Sequence, residues 1–447
     1  MQATYVQGSI LRHILVMSGS GAVGLAALFV VDLADMYFLS LLGDTNITAA
    51  VGYAASILFF TLSMNIGLAI GCGALIAKAA GGNDKTTARR QVAHIFIAIF
   101  GVAFISAVLV LFNSHHILTW LGAHDEALDF AQAYLNIVIC STPIMGIAMA
   151  CSAVMRALGA AKQAMGLTLI GAAINAILDP IFIFVLDLNI IGAAIASVCS
   201  HIAMGVYGIW IVVKQFNLIG RLQKSLFIQD LRIYLSVAFP AVLTNLATPI
   251  SIAYVTAVMA DFGNDAVSGN AIVARIQQVA FAGLFALSGA VGGIAAQNWG
   301  AQHYDRVKSV LDQSLAIIFV YCLVICGGLC LMTGFLVETF QAHGQEADLI
   351  RWFCWGLSAV YLFNGITFVT NALFNNLGVA HYATQFNFSK ATLGTIPFVY
   401  FGAQIAGPYG IYWGFLVGAS IVAAIGLWIN YWHIRRLPQF RQEERAI

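Results

Sequence analysis

Apolar stretches of about 20 residues or more recur along the whole 447-residue chain, and each could cross a membrane core about 30 Å thick as an α-helix. Charged residues make up only 9% of the chain, against about 25% in an average soluble domain. The sequence therefore predicts an all-α integral membrane protein with about twelve transmembrane helices. The predicted spans are about 13–39, 50–77, 91–112, 128–152, 163–186, 190–213, 233–260, 271–297, 309–333, 348–374, 382–404 and 409–433.

The chain consists of two related copies. The segment Leu158–Ala164 (LGAAKQA) reappears as Leu377–Ala383 (LGVAHYA), 219 residues later. Each copy holds six predicted spans, so both copies have the same orientation and are related by a pseudo-two-fold axis along the membrane normal. The predicted domains are an N-terminal six-helix lobe (1–213), a cytoplasmic linker (214–232), a C-terminal six-helix lobe (233–434) and a cytoplasmic tail (435–447). Rocking of two such lobes would open a cleft alternately to each side, as in secondary transporters.

Lysine and arginine determine the predicted orientation, because basic residues near helix ends stay on the cytoplasmic side. Of the 20 basic residues, 17 lie at the N-terminus, in the even-to-odd loops or at the C-terminus. We therefore predict a multi-pass protein of the cell membrane, of the bacterial inner-membrane type, with both termini cytoplasmic. The N-terminus shows no pattern of a removable signal peptide, so the first span is expected to remain a helix.

The sequence carries no motif for ATP hydrolysis or for the common enzyme classes. It has no GxxxxGK phosphate loop, no HExxH zinc motif and no GxSxG elbow. An enzyme is therefore not expected, and an ion gradient is the simplest energy source. The eight cysteines form no CxxC pair and are predicted to be small core residues.

The first copy has acidic side chains inside its first and fifth predicted spans, at positions where the second copy has none. Asp35 is in the first span, and Asp32 precedes it by about one helical turn. In the fifth span, Asn175 and Asp179 lie four residues apart on one helix face. An acid in a membrane helix costs at least about 2.5 kcal/mol, so it normally faces a cavity or a partner. The counterparts of Asp35, Asn175 and Asp179 in the second copy are Val255, Gly394 and Phe398.

Two interpretations of these polar residues are open. In the structural one, Asp35 is a solvated helix end, Asn175 makes an interhelical hydrogen bond and Asp179 ends a helix before a proline. In the functional one, carboxylates that share a poorly hydrated site cannot all be ionised cheaply, so the site takes up a proton near neutral pH. The same oxygens, with the hydroxyl of Ser197 in the sixth span, could instead hold a sodium ion. We favour the functional interpretation and expect no cofactor beyond a proton or a sodium ion.

Aromatic and methionine side chains are plentiful, with 30 Phe, 15 Tyr and 11 Met. A cleft lined by them would accept varied flat cations, because aromatic faces attract positive charge and methionine adapts in shape. Most of them are expected to face lipid or to pack in the core. The candidates for substrate contact are Asp32, Met36 and Tyr37 in the first span and Met64 in the second.

Over its whole length the sequence resembles the multidrug and toxic compound extrusion (MATE) family. The resemblance rests on the two six-helix copies, on Arg156–Gly159 (RALG) with the related segment Asn376–Gly378 (NLG) in the second copy, and on Asn175 through Pro180. With Asp35 in the first span, the pattern is similar to the DinF-like branch of that family.

The resemblance implies a V-shaped pair of lobes that exports cationic or apolar drugs against an inward flow of protons or sodium. The residues that match the branch imply a cation site in the N-terminal lobe, made of Asp35, Asn175, Asp179 and Ser197, with Tyr134 nearby. The family commonly has a proline in the first helix where this chain has Ser20. A bend imposed by proline is therefore not expected in that helix.

The sequence as a whole predicts a secondary active multidrug efflux transporter that exchanges cationic or amphipathic compounds for protons. One alternative is a sodium-coupled antiporter in which Asp35, Asn175 and Asp179 bind the metal. Another is a lipid-linked precursor flippase, which should carry several basic residues in its cleft. A non-transporting scaffold would not explain acids at costly positions. We expect small-molecule drugs and membrane lipids as partners, no nucleic acid, and a monomer.

Few basic residues are available for a flippase, because those outside the cytoplasmic-side loops are only Arg275, Arg351 and Lys390.

Overall fold

The structure, a computed structural model, describes residues 4–40, 45–121, 123–340 and 342–446. Every regular element in these ranges is helical. The α-helices are α1 (Ile10–Ser40), α2 (Thr45–Gly81), α3 (Lys85–Trp120), α4 (Asp125–Ile139), α5 (Thr142–Ala157), α6 (Ala161–Pro180), α7 (Asn189–Trp210), α8 (Lys224–Ala260), α9 (Asn264–Ala280), α10 (Ala282–Gly300), α11 (Tyr304–Thr339), α12 (Gly344–Trp355), α13 (Val360–Asn376), α14 (Ala380–Ala391) and α15 (Ile396–Ala446). Two π-helical segments, Ile181–Val185 and Ile211–Gln215, follow α6 and α7, and a 3-10 turn, Leu357–Ala359, precedes α13.

The helices provide the twelve predicted membrane crossings. In the described ranges, nine helical segments are long and apolar enough to cross a membrane, and two further crossings are bent helix pairs. The bent pairs are α4 with α5, at 48°, and the end of α9 with α10, at 45°. One of the nine segments, Ala380–Leu437, has 58 residues, and its backbone is non-helical at Ala406 and Gly407. Since one crossing needs about 20 residues, this segment provides two, and the predicted fold class is confirmed.

The chain forms two compact units. The first consists of Met1–Thr4 and Val23–Val242, and the second of Tyr5–Ala22 and Leu243–Ile447. The divisions fall within α1 and α8, so each of these long helices contributes one part to each unit. The predicted domain boundaries, which were drawn between helices, stay a prediction.

Small residues let the long helices approach their neighbours closely in each unit. In the first unit, a Cβ added to Gly71 of α2 would lie 2.7 Å from the Cβ of Ala238 in α8. In the second unit, a Cβ added to Gly21 of α1 would lie 3.2 Å from the Cβ of Ala286 in α10. Ala286 corresponds through the repeat to Gly67, which contacts Val242 of α8. Each unit therefore uses the packing through small residues that is common between membrane helices.

A tight helical hairpin surrounds the break in α15. Gly407 has a positive φ of 60°, which the absence of a Cβ makes inexpensive. On the two sides of the break, a Cβ on Gly410 would meet the carbonyl of Gly402, and one on Gly418 would meet that of Gly394. The eleventh and twelfth crossings are thus in backbone contact.

Two expectations about single residues can be compared with this fold. The hydroxyl of Ser20 donates to the carbonyl of Val16 at 2.8 Å, and α1 is helical without interruption from Ile10 to Ser40. The prediction that all cysteines are core residues is wrong for Cys140 and Cys330, which are exposed. A thiol is a small apolar group, so the apolar surface of a membrane helix accommodates it as readily as the core does.

Candidate functional site

The acids of the first copy are brought together by a close approach of α1 and α6. A Cβ added to Gly24 of α1 would lie 3.4 Å from the Cβ of Thr168 in α6. Asp35 lies 11 residues after Gly24, and Asp179 lies 11 residues after Thr168. Eleven residues are about three helical turns, so both acids return to the faces on which the two helices meet.

The carboxyl groups of Asp35 and Asp179 lie within hydrogen-bonding distance of each other. Ionised carboxylates only accept hydrogen bonds, so a hydrogen bond between them requires one shared proton. Asp179 is fully buried. Apart from this mutual contact, Oδ1 of Asp35 and Oδ2 of Asp179 have no hydrogen-bond partner among the described residues. The pair therefore has free oxygens for a proton or a cation.

Asn175 holds the second acid in place. Its Nδ2 donates a hydrogen bond to Oδ1 of Asp179 at 3.0 Å, which is the contact expected from their spacing of four residues. Pro180 follows and has no N–H to donate within the helix. The chain then forms the π-helical segment Ile181–Val185, and the N–H of Leu186, the next residue, donates to the carbonyl of Ile181 at 2.9 Å. Asp179 thus lies at the point where regular α-helical bonding ends.

An apolar cluster lies one turn from the acids. Leu39 is four residues after Asp35 and is 2% exposed, and Ile183 is four residues after Asp179 and is fully buried. Both belong to a cluster that includes Tyr134 of α4 and the start of α7. Because this cluster contributes few polar atoms, the acid pair is poorly hydrated on that side.

The other predicted site residues that the structure describes are Ser197, Tyr134 and Met64. Ser197 is half-buried in α7, and no hydrogen bond joins it to either acid in the part of the chain that the structure describes. Tyr134 is 7% exposed and lies in the apolar cluster. Met64 is half-buried in α2. Their roles stay predictions.

Three predicted substrate contacts cannot be compared with the structure, because the side chains of Asp32, Met36 and Tyr37 lie outside its described part.

Sequence reasoning missed a polar contact at the bend between α4 and α5. The hydroxyl of Ser141 donates to the carbonyl of Val138 at 2.7 Å, and its oxygen lies 2.7 Å from Nδ1 of His201 in α7. The serine proton is used in the first bond, so the histidine donates in the second. The signal was available, since a histidine within a predicted span is an ionisable group at membrane depth.

Comparison with known proteins shows which family the chain matches. A family model described as MatE matches residues 22–181 and 240–401, which together are more than half of the chain. The chain is 24% identical over 442 residues to the multidrug export protein MepA of Staphylococcus saprophyticus, covering 96% of this chain and 95% of that protein.

Solved structures share the fold. A multidrug resistance MATE family transporter of the MOP superfamily, in an outward-facing conformation, has a TM-score of 0.91 at 21% identity and covers 98% of this chain and 100% of its own. A MOP superfamily transporter from Pyrococcus furiosus has a TM-score of 0.90 at 20% identity and covers 98% of each chain.

Proposed function

The chain belongs to the MatE family of membrane transporters, and on this basis we propose that it is a secondary active multidrug efflux transporter. It exports cationic and amphipathic organic compounds in exchange for protons. The observation that carries the proposal is the contact between Asp35 and Asp179. The similarity to a multidrug export protein supports the choice of substrate class.

Competition for negative charge is the physical basis of the exchange. Two carboxylates about 4 Å apart repel each other by about 4 kcal/mol at an effective dielectric constant of 20. Among the described residues, neither Asp35 nor Asp179 forms an ion pair with a basic side chain. One proton on the pair relieves the repulsion, and so does one organic cation. Proton and substrate therefore exclude each other.

The transport cycle follows from this competition. When the site faces the cell interior, Asp35 and Asp179 lose their shared proton and attract a cationic substrate. When it faces outside, a proton from the medium neutralises one carboxylate and the substrate leaves. The return step carries that proton inward. One monovalent cation thus leaves for each proton that enters, and Asn175 keeps Asp179 oriented throughout.

Sodium coupling at the same site is the second candidate. Sodium prefers oxygen ligands, and Asp35 and Asp179 have oxygens without another partner. Asn175 uses its Nδ2 for Asp179, so its carbonyl oxygen is the third ligand to expect. The sodium ion would then take the place of the proton in the competition with substrate.

Export of drugs is preferred to the flipping of lipid-linked precursors because little basic charge is available for lipid phosphates. Arg351 donates to Asp348 at 2.9 Å, and both side chains are exposed. Lys390 donates to Asn364 and has further protons to donate, but it is a single base. A flippase for anionic lipids is expected to present several unpaired basic groups together.

We propose that the transporter acts as a monomer in the inner membrane of a bacterial-type cell, surrounded by lipid, with both termini cytoplasmic. The bias of 17 of 20 basic residues to one side supports this orientation.

The function is tested by transport in proteoliposomes whose lumen is more acidic than the bath. Tetraphenylphosphonium is a suitable substrate, because its permanent charge prevents trapping by the pH gradient itself. Potassium with valinomycin clamps the membrane potential. We expect wild type to accumulate the cation without sodium and Asp35→Asn to lose this pH-driven uptake.

Asp187→Asn is the matched control. Asp187 is exposed in the loop after α6 and has a positive φ of 53°, which asparagine adopts readily. This variant should transport like wild type. Uptake that needs sodium and ignores the pH gradient would overturn proton coupling in favour of sodium, and full pH-driven uptake by Asp35→Asn would contradict the assigned site.

A further inference from the structure

We propose that Lys390 and Asn364 form a second binding position, within the second unit, for the carboxylate of aromatic amphipathic substrates. The inference rests on the proposed transport function and extends its substrate class from simple cations to aromatic ions that also carry a carboxylate. Nothing in the repeat requires a basic group at this position, since the counterpart of Lys390 in the first copy is Gly171.

The first observation is a helix break at membrane depth. Helix α14 ends at Ala391, residues 392–395 form turns, and α15 begins at Ile396. Lys390 is ten residues after the start of α14, which is about 15 Å along the helix and therefore close to the middle of the hydrocarbon core. Non-helical backbone is tolerated at this depth only where protein buries it or where it lines a cavity.

The break is hydrogen-bonded and is therefore a defined feature of the fold. The hydroxyl of Thr395 donates to the carbonyl of Lys390 at 2.7 Å. The backbone N–H of Gly394 donates to the carbonyl of Ser389 at 2.7 Å. Interrupted helices with fixed ends are the elements from which secondary transporters build substrate sites near the membrane midplane.

The second observation is the incomplete set of partners around the Lys390 ammonium group. Nζ donates to Oδ1 of Asn364 at 2.6 Å and lies 5.7 Å from the ring centre of Phe368. In the described ranges no carboxylate lies within ion-pair distance of it. An ammonium has three protons to donate, so two remain for a ligand. A charge at this depth costs about 2.5 to 3.5 kcal/mol without a partner, and an anionic ligand group would supply one.

The third observation is an aromatic surface beside this charge. Asn364 and Phe368 are four residues apart on one face of α13. The ring centres of Phe368 and Phe285 are 4.9 Å apart, and Phe285 is 42% exposed. A flat ligand ring can stack on this pair while its carboxylate reaches Lys390. Charge and aromatic surface together favour an aromatic carboxylate over a small inorganic anion.

A pair of dyes tests this position. One is a zwitterionic rhodamine with a free carboxylate, and the other is its methyl ester, in which an uncharged ester replaces that carboxylate. Binding to the purified protein in nanodiscs is followed by fluorescence anisotropy. For Lys390→Gln we expect the carboxylate dye to bind about tenfold more weakly or worse, as for the loss of one hydrogen bond to a charged group, and the ester to bind as before.

Further variants separate a binding role from a structural one. Lys390→Arg keeps the charge and should keep the preference for the carboxylate dye. Asn364→Asp places a carboxylate beside the ammonium and should weaken binding of the carboxylate dye without affecting the ester. Lys308→Gln is the matched control, since Lys308 is exposed in the same unit, and it should change neither affinity.

The outcomes distinguish this inference from the transport proposal. If Lys390→Gln weakens both dyes equally or neither, or if wild type does not bind the carboxylate dye, the second position is wrong. Uptake of tetraphenylphosphonium by the same wild-type preparation then decides the transport proposal separately. If Lys390→Gln weakens binding of the carboxylate dye but not of the ester, the result supports the second binding position, whichever ion drives transport.

Discussion

At the scale of single residues, Asp179 depends on Asn175. The amide donates to one oxygen of a fully buried carboxylate, and a hydrogen bond to a charged group contributes about 1.5 to 3 kcal/mol. The bond stabilises the ionised form of Asp179, which is the form that attracts a cationic substrate. In the proposed exchange, Asn175 is therefore a positioning residue.

Asn175→Ala should weaken binding of a permanent cation by about tenfold or more, because Oδ1 of Asp179 loses its donor. Equilibrium binding of tetraphenylphosphonium to the purified protein measures this. Asn113→Ala is a suitable control, since the amide of Asn113 is exposed and donates to the carbonyl of Leu109 in its own helix. Equal affinities of Asn175→Ala and wild type would show that the amide does not support the charged state.

The sequence predicts only part of this site. The spacing of Asn175 and Asp179 is enough to place them on one helix face, since that prediction depends only on helical geometry. The contact of Asp35 with Asp179 depends on the approach of Gly24 to Thr168, and no local pattern specifies which helices meet. The pairing of His201 with Ser141 was missed for the same reason, since it joins α7 to a bend between two other helices.

At the scale of elements, the hairpin around Gly407 depends on glycines that no side chain can replace. Gly410→Ala should lower the unfolding temperature, because the new methyl group would meet the carbonyl of Gly402 and overpacking costs about 1 to 3 kcal/mol. Thermal unfolding in detergent, followed by intrinsic fluorescence, measures the shift.

The control for this hairpin is Gly327→Ala in α11, where an added Cβ meets nothing within 4 Å. Alanine is favoured over glycine by up to about 1 kcal/mol within a helix, so this variant should be neutral or slightly more stable. If Gly410→Ala were equally stable, the close packing of the hairpin would not contribute to stability.

The start of α3 gives a pH-dependent prediction outside the membrane. Thr87 N–H donates to Oδ1 of Asp84 at 3.0 Å, and this backbone bond is the main reason that the pKa of Asp84 is lowered from its ordinary value. The contribution of the cap is therefore fully present above the ordinary value of about 3.9 and is lost as pH falls through the lowered pKa.

Hydrogen exchange in the first turn of α3 tests this cap. At neutral pH, Asp84→Ala should speed exchange there, by an amount equivalent to about 1 kcal/mol. The difference should shrink as wild type is acidified below the lowered pKa, and Asp84→Asn, which caps without a charge, should keep its protection. A difference between Asp84→Ala and wild type that does not depend on pH would contradict the charged cap.

Helix existence was easier to predict than helix shape. The twelve crossings follow from the length and apolarity of the segments, because a membrane requires both. The bend between α4 and α5 was not predicted, whereas the break at Ala406 and Gly407 falls between two predicted spans.

At the scale of the whole molecule, duplication produced two units with different chemistry. The first unit has a carboxylate pair and the second has a half-buried ammonium beside a broken helix, although the α1 and α8 contacts follow the same repeat. The repeat itself could be read from the sequence, whereas the division of α1 and α8 between the units could not.

The orientation of the chain is tested by labelling single cysteines in an otherwise cysteine-free protein. An impermeant maleimide added to intact cells should label Asp187→Cys, since that loop is predicted to lie on the outer side of the membrane. Lys85→Cys, at the cytoplasmic start of α3, should react only after the cells are permeabilised. The reverse pattern would contradict the orientation inferred from basic residues.

The most direct test of the account is the number of protons released when substrate binds. A pH indicator in weakly buffered solution, without sodium, reports release as tetraphenylphosphonium is added to purified protein. We predict release from wild type and Asp187→Asn, and little or none from Asp35→Asn. Substrate binding to wild type without proton release, or undiminished release from Asp35→Asn, would contradict the claim that Asp35 and Asp179 exchange a proton for substrate.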